Sequence, residues 1–435
     1  MSTDLEKANI ELEKRFNRQI TTSLSNLCTH CGWCADSCHI YLATGDPAMT
    51  PVAKAERVRR VYKKSHDWLS KIFPFWTGAR KLTEEELDDW VETSFLGCTL
   101  CERCTVNCPM GVENGAIMGA ARSTLTAVGK APEILGMLAD SAITKEESME
   151  FYRDFFLEQV AEMEKDVQEK LGDPTATIPV DKQDAEFLFV PLAGGHTIIP
   201  PAIIFNAVGA SWTMSMFEAS NYAVFLGDTE KAKRITERII REAERLNIKE
   251  VVLAECGHAY TTLKWEAPKW FGKELPFRVR SILEVLDEFI SDGRLKVDPS
   301  LNPDPVTYHD SCNLGRKGGL FEEPRRVMKA ISQDYREMTP NRLQNFCCGG
   351  GSGVVAIDEW NEARINTGKP KAEQIRETGV KTVVTSCDNC RHQIIELNEH
   401  FGLDINVSSL TEMTVNALVV PERVALDTAA VDQPD

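Results

Sequence analysis

Residues 381–391, "KTVVTSCDNCR", carry a short apolar run straight into a turn that holds two cysteines. Upstream, residues 249–259, "KEVVLAECGHA", lie over them, and "SNYAVFLGD" (220–228) lies roughly over "QNFCCGGGS" (344–352). Around each copy the order is the same. "AEFLFVPL" (185–192) and "DPVTYHDSCNLG" (304–315) read as buried strands, and "TEKAKRITERIIREAERLN" (229–247) and "NEARINTGKPKAEQIRETG" (361–379) as helices. Strands of continuous apolar character alternating with helices predict parallel sheets. The repeat therefore predicts two small α/β lobes, over 185–298 and 299–420.

The chain before them has another texture. Residues 1–145 hold eight cysteines among helical patterns. "PVAKAERVRRVYKK" (51–64) opens on Pro51 at a first helical position, and "TEEELDDWVETSF" (83–95) has a threonine cap followed by acids. Residues 146–172 read as a long amphipathic helix ending at Gly172, and 173–184 as a polar linker. From Pro421 to 435 a frayed tail is expected. The fold class is thus an α-helical module followed by two pseudo-repeated α/β lobes.

The 435 residues suffice for several cores. A net charge of −17, from 49 basic and 66 acidic residues, argues against a nucleic-acid partner. No apolar run reaches the roughly 20 residues of a membrane helix, and the polar N-terminus carries no secretory signal. A cytoplasmic location is expected, in which the 14 cysteines are thiols, not a disulfide framework.

Their spacing says what they bind. Cys28, Cys31, Cys34 and Cys38 follow C-x2-C-x2-C-x3-C, and Cys98, Cys101, Cys104 and Cys108 repeat it. Three thiolates so spaced wrap one [4Fe–4S] cube, while the fourth cysteine ligates the other cube. The expected sets are Cys28, Cys31, Cys34 with Cys108, and Cys98, Cys101, Cys104 with Cys38. Zinc would ask for paired C-x2-C knuckles instead. His30 and His39 read as neighbours of the ligands or as exposed. The first run ends on His39 where the second has Pro109. With a helical interval between the runs, the module resembles the α-helical ferredoxins of succinate dehydrogenase-type subunits.

The five late cysteines form a second constellation: Cys312, then Cys347-Cys348-Gly349, then Cys387-x2-Cys390. Each group follows a predicted strand, where open α/β sheets place their sites. Five thiolates exceed the four that a cube takes. This pattern resembles the CCG domain of heterodisulfide reductases. The order of modules is similar to the fused, D-type form of those enzymes, and especially to the DsrK, TmcB and HmcF group of membrane complexes of anaerobic sulfate respiration. The resemblance implies a non-cubane [4Fe–4S] cluster on Cys312, Cys347, Cys348, Cys387 and Cys390, with Gly349 and Gly350 letting the backbone pass close by.

The first lobe departs from that pattern. It keeps Cys256, but Ala259 stands in the place of the last cysteine, and Tyr222, Ala223 and Val224 in the place of CCG. One non-cubane cluster is expected, not two. Cys256 and His258 read either as a thiol and a proton donor facing the site or as buried leftovers. His196 is a candidate for the position of a lost ligand. His309 and Asp310 read as orienters of the ligands.

By resemblance, electrons enter from a membrane cytochrome b-type subunit. They pass the two cubes and reach the non-cubane cluster, where a disulfide-type substrate, such as a small protein disulfide or trisulfide, is split or formed. The chain would then sit peripherally on the cytoplasmic face of the inner membrane through its partner subunits. Two alternatives are a pure electron-transfer adaptor and the iron–sulfur subunit of a glycolate, lactate or glycerol-3-phosphate oxidising complex. "GGGSG" (349–353) lacks the Lys-Ser/Thr of a phosphate loop. The basic helix at 51–64 suits docking to an acidic partner or to anionic lipid, or a solvated face. Trp68 to Trp76, "WLSKIFPFW", suits an exposed contact or a core wedge equally.

Overall fold

The computed structural model describes residues 3–420; the tail expected from Pro421 lies outside the described residues. The N-terminal part is helical throughout. Its centre is the helix Asn114–Ala127, flanked by the helices Asp4–Arg15, Pro51–His66 and Glu84–Val91. Pro51 does open its helix, with Thr50 capping through its hydroxyl. The long helix begins at Met149 and ends at Leu171, where Gly172 turns into the left-handed region that favours glycine.

Two four-stranded sheets follow, both wholly parallel. The first comprises β1 (Phe187–Val190), β2 (Trp212–Met214), β3 (Glu250–Leu253) and β4 (Arg278–Ser281), in the order β2-β1-β3-β4. The second comprises β5 (Pro305–His309), β6 (Asp334–Tyr335), β7 (Thr382–Thr385) and β8 (Asn406–Ser408), in the order β6-β5-β7-β8. The strand order is the same in both, as the repeat predicts. It reverses between β1 and β3, and again between β5 and β7, and such switch points open a crevice beyond the carboxyl ends of the strands. Buried four-residue runs such as Phe187–Val190 are apolar on both faces because helices cover both.

One predicted helix is two. "NEARINTGKPKAEQIRETG" breaks into Asn361–Thr367 and Lys369–Thr378. At the break, a side chain on Gly368 would meet the Cys348 carbonyl and Leu397 at under 3 Å, so only glycine fits. The lobes also touch intimately. A Cβ on Gly257 would fall 2.6 Å from Asn313 Cβ, just beyond Cys312. Glu255 crosses to the other lobe and caps the helix Leu410–Asn416, accepting from Leu410 N at 2.8 Å and Thr411 Oγ1 at 2.7 Å.

Candidate metal centres

Seven of the eight cysteines of the two early runs sit in loops or turns between helices, and Cys104 lies in the one-turn helix Arg103–Val106. Cys28, Cys31, Cys34 and Cys108 line one cavity, and Cys38, Cys98, Cys101 and Cys104 line a second. Cys31 is exposed; Cys104 is desolvated, and burial together with the nearby Cys98 and Cys38 pushes its thiol well up. Four thiols this crowded cannot all ionise in a dry cavity without a cation among them.

Two buried cations stand at the second cavity. Lys54, read in the sequence as part of a docking or solvated face, is 3% exposed, with Nζ 3.6 Å from Cys38 Sγ and donating to the Gly97 carbonyl. Arg122 is fully buried and donates to five carbonyls: Ser94, Phe95, Cys98, Phe225 and Ser352. Among the described residues neither pairs with a carboxylate. Desolvation brings the Arg122 guanidinium down to about 10. A buried charge without a partner is costly, and the donor set beside these two asks for an anionic group. An iron–sulfur cluster on four thiolates meets that demand, so the residues fit it.

Cys312 and the pair Cys387/Cys390 lie just past the carboxyl ends of β5 and β7, whereas Cys347-Cys348 follows no strand directly and comes from the loop after the turn Arg342–Gln344. Cys348 Sγ is 3.3 Å from Cys390 Sγ, and Gly349 N donates to Cys347 Sγ at 3.4 Å. Hydrogen bonds from Cys101, Cys312 and Cys348 hold the Cys347 thiol well below its usual range, and it is the natural thiolate of the group. His309 is buried against Cys348 and Cys390, and neither ring nitrogen has a hydrogen-bond partner. Orphaned buried nitrogens beside gathered thiols fit a bound inorganic group at this place. Gly349 has φ +102°, and a side chain on Gly350 would meet the Asn389 carbonyl at 3.0 Å, so the chain passes close because it is bare.

The two constellations meet. Thr99, between Cys98 and Cys101, brings Oγ1 to 3.3 Å from Cys347 Sγ, and His39 reaches the same hydroxyl through Nε2 at 3.2 Å. His39 Nδ1 donates to the Thr367 carbonyl at 2.9 Å. Arg103 donates to Gln344 O at 2.8 Å and to Asp36 O at 3.2 Å, and stacks on Phe346. Arg316 donates to Cys101 O at 2.7 Å and Leu343 O at 2.8 Å. His30 is exposed beside Arg59.

Asp310 does more than orient. It takes both arms of Arg325, at 2.7 and 2.8 Å, and also accepts from Arg342 N at 2.7 Å. Its carbonyl accepts from Asn345 at 2.6 Å, which pins the segment before Cys347. Lys371, fully buried, donates to Asn345 Oδ1 at 2.7 Å, and burial brings its ammonium down to about 7.

Cys256 occupies the residue just before the helix Gly257–Thr261, as Cys387 does before Asp388–Phe401. The first lobe has one more residue between strand and cysteine, and Glu255 stands there. Burial and the neighbouring Cys387 push the Cys256 thiol up. His258 Nδ1 lies 3.3 Å from Cys256 Sγ, and His258 Nε2 accepts from Asn221 N at 3.4 Å. Burial, then Lys317, brings the His258 imidazole down to about 4. His196 pairs with Asp388 at 3.0 Å, next to Cys387. Desolvation opposes ionisation of Asp388, but hydrogen bonds from His196 and His392 prevail and hold its carboxyl well below the usual range. A cavity of about 780 Å³ opens at the carboxyl ends of β1 and β2; Phe155, Met163, Met216 and the pair Gly194-Gly195, just before His196, are among its walls.

Residues 25–112 match the 4Fe-4S dicluster domain, and residues 306–395 the cysteine-rich domain named CCG. The chain is an iron–sulfur protein that joins these two domains, and the expected resemblance holds. It is similar to the Hdr-like menaquinol oxidoreductase iron-sulfur subunit 2 of Archaeoglobus fulgidus, 28% identical over 91% of this chain and 80% of that relative. It is similar as well to the D-type polypeptide of the dihydromethanophenazine:CoB–CoM heterodisulfide reductase of Methanosarcina acetivorans, 26% identical over 90% of this chain and 93% of that one. Part of the chain, 39%, is 29% identical to the EtfAB:quinone oxidoreductase of Syntrophomonas wolfei. Oxidoreductase relatives over most of the length and two iron–sulfur domains give the chain an oxidoreductase role.

Proposed function

We propose that the chain is the iron–sulfur subunit of a membrane-associated respiratory complex, which carries electrons to a sulfur substrate split at the CCG site. Its division would be 1–145 for two cubane clusters, 146–184 as helix and linker, 185–298 as the eroded lobe and 299–420 as the lobe with the non-cubane cluster. The observation that carries the reading is the contact of Thr99 with Cys347, which abuts the second cysteine run on the CCG site. Cys28, Cys31, Cys34 and Cys108 would hold the outer cube, and Cys98, Cys101, Cys104 and Cys38 the inner one. Cys312, Cys347, Cys348, Cys387 and Cys390 would hold the third cluster. Bound clusters supply electrons one at a time at these thiolates.

The chain's own groups do the rest. Reduction of a disulfide consumes two electrons and two protons and leaves two thiols. His196, held by Asp388 and next in the chain to Gly195 of the cavity wall, is the candidate donor of one proton. The other proton comes from solvent, because the Cys256 thiol holds its own proton tightly in its dry setting and the neighbouring His258, with Nε2 accepting from Asn221 N, is neutral. The exposed Cys31 marks the side at which a membrane electron carrier would reach the chain, with a cytochrome b-type subunit as the expected partner. The direction of flow follows the potentials of the couples.

Electron paramagnetic resonance on anaerobically purified protein, oxidised with and without a thiol or disulfide, tests the proposal. A signal that appears only with substrate and is lost in Cys347→Ser is the expected result. Signals indifferent to every thiol and disulfide would leave an electron-transfer adaptor in its place.

A further inference from the structure

The aromatic run between the two cysteine runs is a surface knob. The short helices Trp68–Ile72 and Pro74–Thr77 leave Phe75 96%, Trp76 85%, Trp68 71%, Ile72 61% and Phe73 54% exposed. The knob is held firmly. Ser70 is buried against Asp67, Lys63 Nζ donates to the Thr77 carbonyl at 3.3 Å, and Arg80 N donates to the Arg60 carbonyl at 3.2 Å. Five large apolar side chains thus face water from a fixed platform, a far larger patch than a soluble surface ordinarily leaves uncovered.

Its surroundings say what covers it. Residues 60–81 contain Arg60, Lys63, Lys64, Lys71, Arg80 and Lys81 against one acid, Asp67, in a chain of net charge −17. Among the described residues Lys63, Lys64, Lys71 and Lys81 form no ion pair. Protein interfaces are depleted in lysine. A bilayer surface favours this composition: tryptophan at the headgroup level, phenylalanine and isoleucine at the acyl boundary, and lysine on anionic phosphates. No helix among the described residues is long and apolar enough to cross a membrane, which leaves contact in the interfacial plane.

We propose that the knob Trp68–Trp76 inserts directly into the surface of an anionic lipid bilayer, so that this chain touches the membrane itself and not only through partner subunits. The consequence for the cysteine sites is geometric. Val52, which lines the cavity of Cys28, Cys31, Cys34 and Cys108, lies in the first turn of the same helix that carries Lys63 near its far end, about 17 Å along the axis.

The test is flotation of the purified full chain with protein-free vesicles, of phosphatidylcholine alone or with about 30% phosphatidylglycerol. The wild type should float with the anionic vesicles and detach in high salt. Phe75→Ser/Trp76→Ser and Lys64→Glu/Lys71→Glu should each bind about tenfold more weakly or worse, with iron content and helicity unchanged. Quenching of tryptophan fluorescence by brominated lipid should disappear in Trp68→Ser/Trp76→Ser. Failure of the wild type to float, or flotation indifferent to the double variants, overturns the proposal. Binding to native membranes but not to protein-free vesicles overturns it too, and gives the knob to a protein partner. None of these readouts depends on the redox function proposed above.

Discussion

Lys54 Nζ lies 3.6 Å from Cys38 Sγ in a site that excludes water. A fixed positive charge on a ligand sulfur favours the reduced, more negative cluster, and it acts on the inner set of thiols far more than on the outer one. Lys54→Met should therefore lower the potential of the proposed cluster on Cys38, Cys98, Cys101 and Cys104. A charge-assisted hydrogen bond of about 1.5–3 kcal/mol corresponds to roughly 60–130 mV for one electron. A redox titration followed by electron paramagnetic resonance should show one midpoint moving down and the outer one holding still. If both move equally, or neither does, Lys54 only fills space.

Iron removal should loosen the whole N-terminal module. Without its anionic group, the second cavity leaves Lys54 and Arg122 buried with no carboxylate among the described residues to offset them. Binding free energy at such sites is folding free energy. Calorimetry of chelated against iron-loaded protein should show the melting temperature down by about 10 °C or more. An unchanged melting curve would mean that the module packs without its clusters.

Arg325 and Asp310 form a bidentate pair with side chains only 2% exposed. Arg325→Met would strand the carboxylate that also receives Arg342 N, and should cost about 3–5 kcal/mol in chemical denaturation. Because Asp310 pins the segment before Cys347, iron at the CCG site should be lost at the same time. A variant of full stability would show that Glu337 and Arg342 N rearrange to compensate.

Glu242, on the helix Thr229–Arg245 of the first lobe, is buried too. Burial raises its carboxyl from 4.5 to about 7, against hydrogen bonds from Ser215 Oγ and Met216 N. Between pH 4.5 and 7 the native state holds a proton that the unfolded chain has released. Stability from this group is thus full at low pH and falls as pH rises through that window, by up to about 3 kcal/mol. Glu242→Gln should flatten the wild-type slope between pH 4.5 and 7 in thermal melts. Parallel pH profiles for the two proteins would refute the assignment.

What was legible in the sequence is what chemistry fixes locally. The strands that lead into Cys312 and Cys387 and the repeat of strand order survive in the structure, because apolar runs are short-range properties; Cys347 and Cys348 instead follow a short turn, Arg342–Gln344, with no strand running into them. The long helix ending at Gly172 was equally plain. Lys54, Arg103, Arg122, Arg316 and Lys371 were not: a cation reads as solvated until its carbonyl partners, tens to hundreds of residues away, are in place. The break at Gly368 was invisible for a related reason, since it depends on the approach of the Cys348 backbone. The aromatic run gave the same composition for a wedge or a knob, and only its exposure decides between them. The extra residue Glu255 shifts Cys256 by one position against the second lobe, which a gapless overlay misses.

Arg122 binds carbonyls of Ser94 and Cys98 in the helical module, Phe225 in the first lobe and Ser352 in the second. One guanidinium therefore rivets all three parts at a single buried point, and none can swing without stripping it bare. Carriers that ferry electrons by moving a domain slow down in viscous solvent; the internal transfer proposed above needs no such motion and should be deaf to added glycerol.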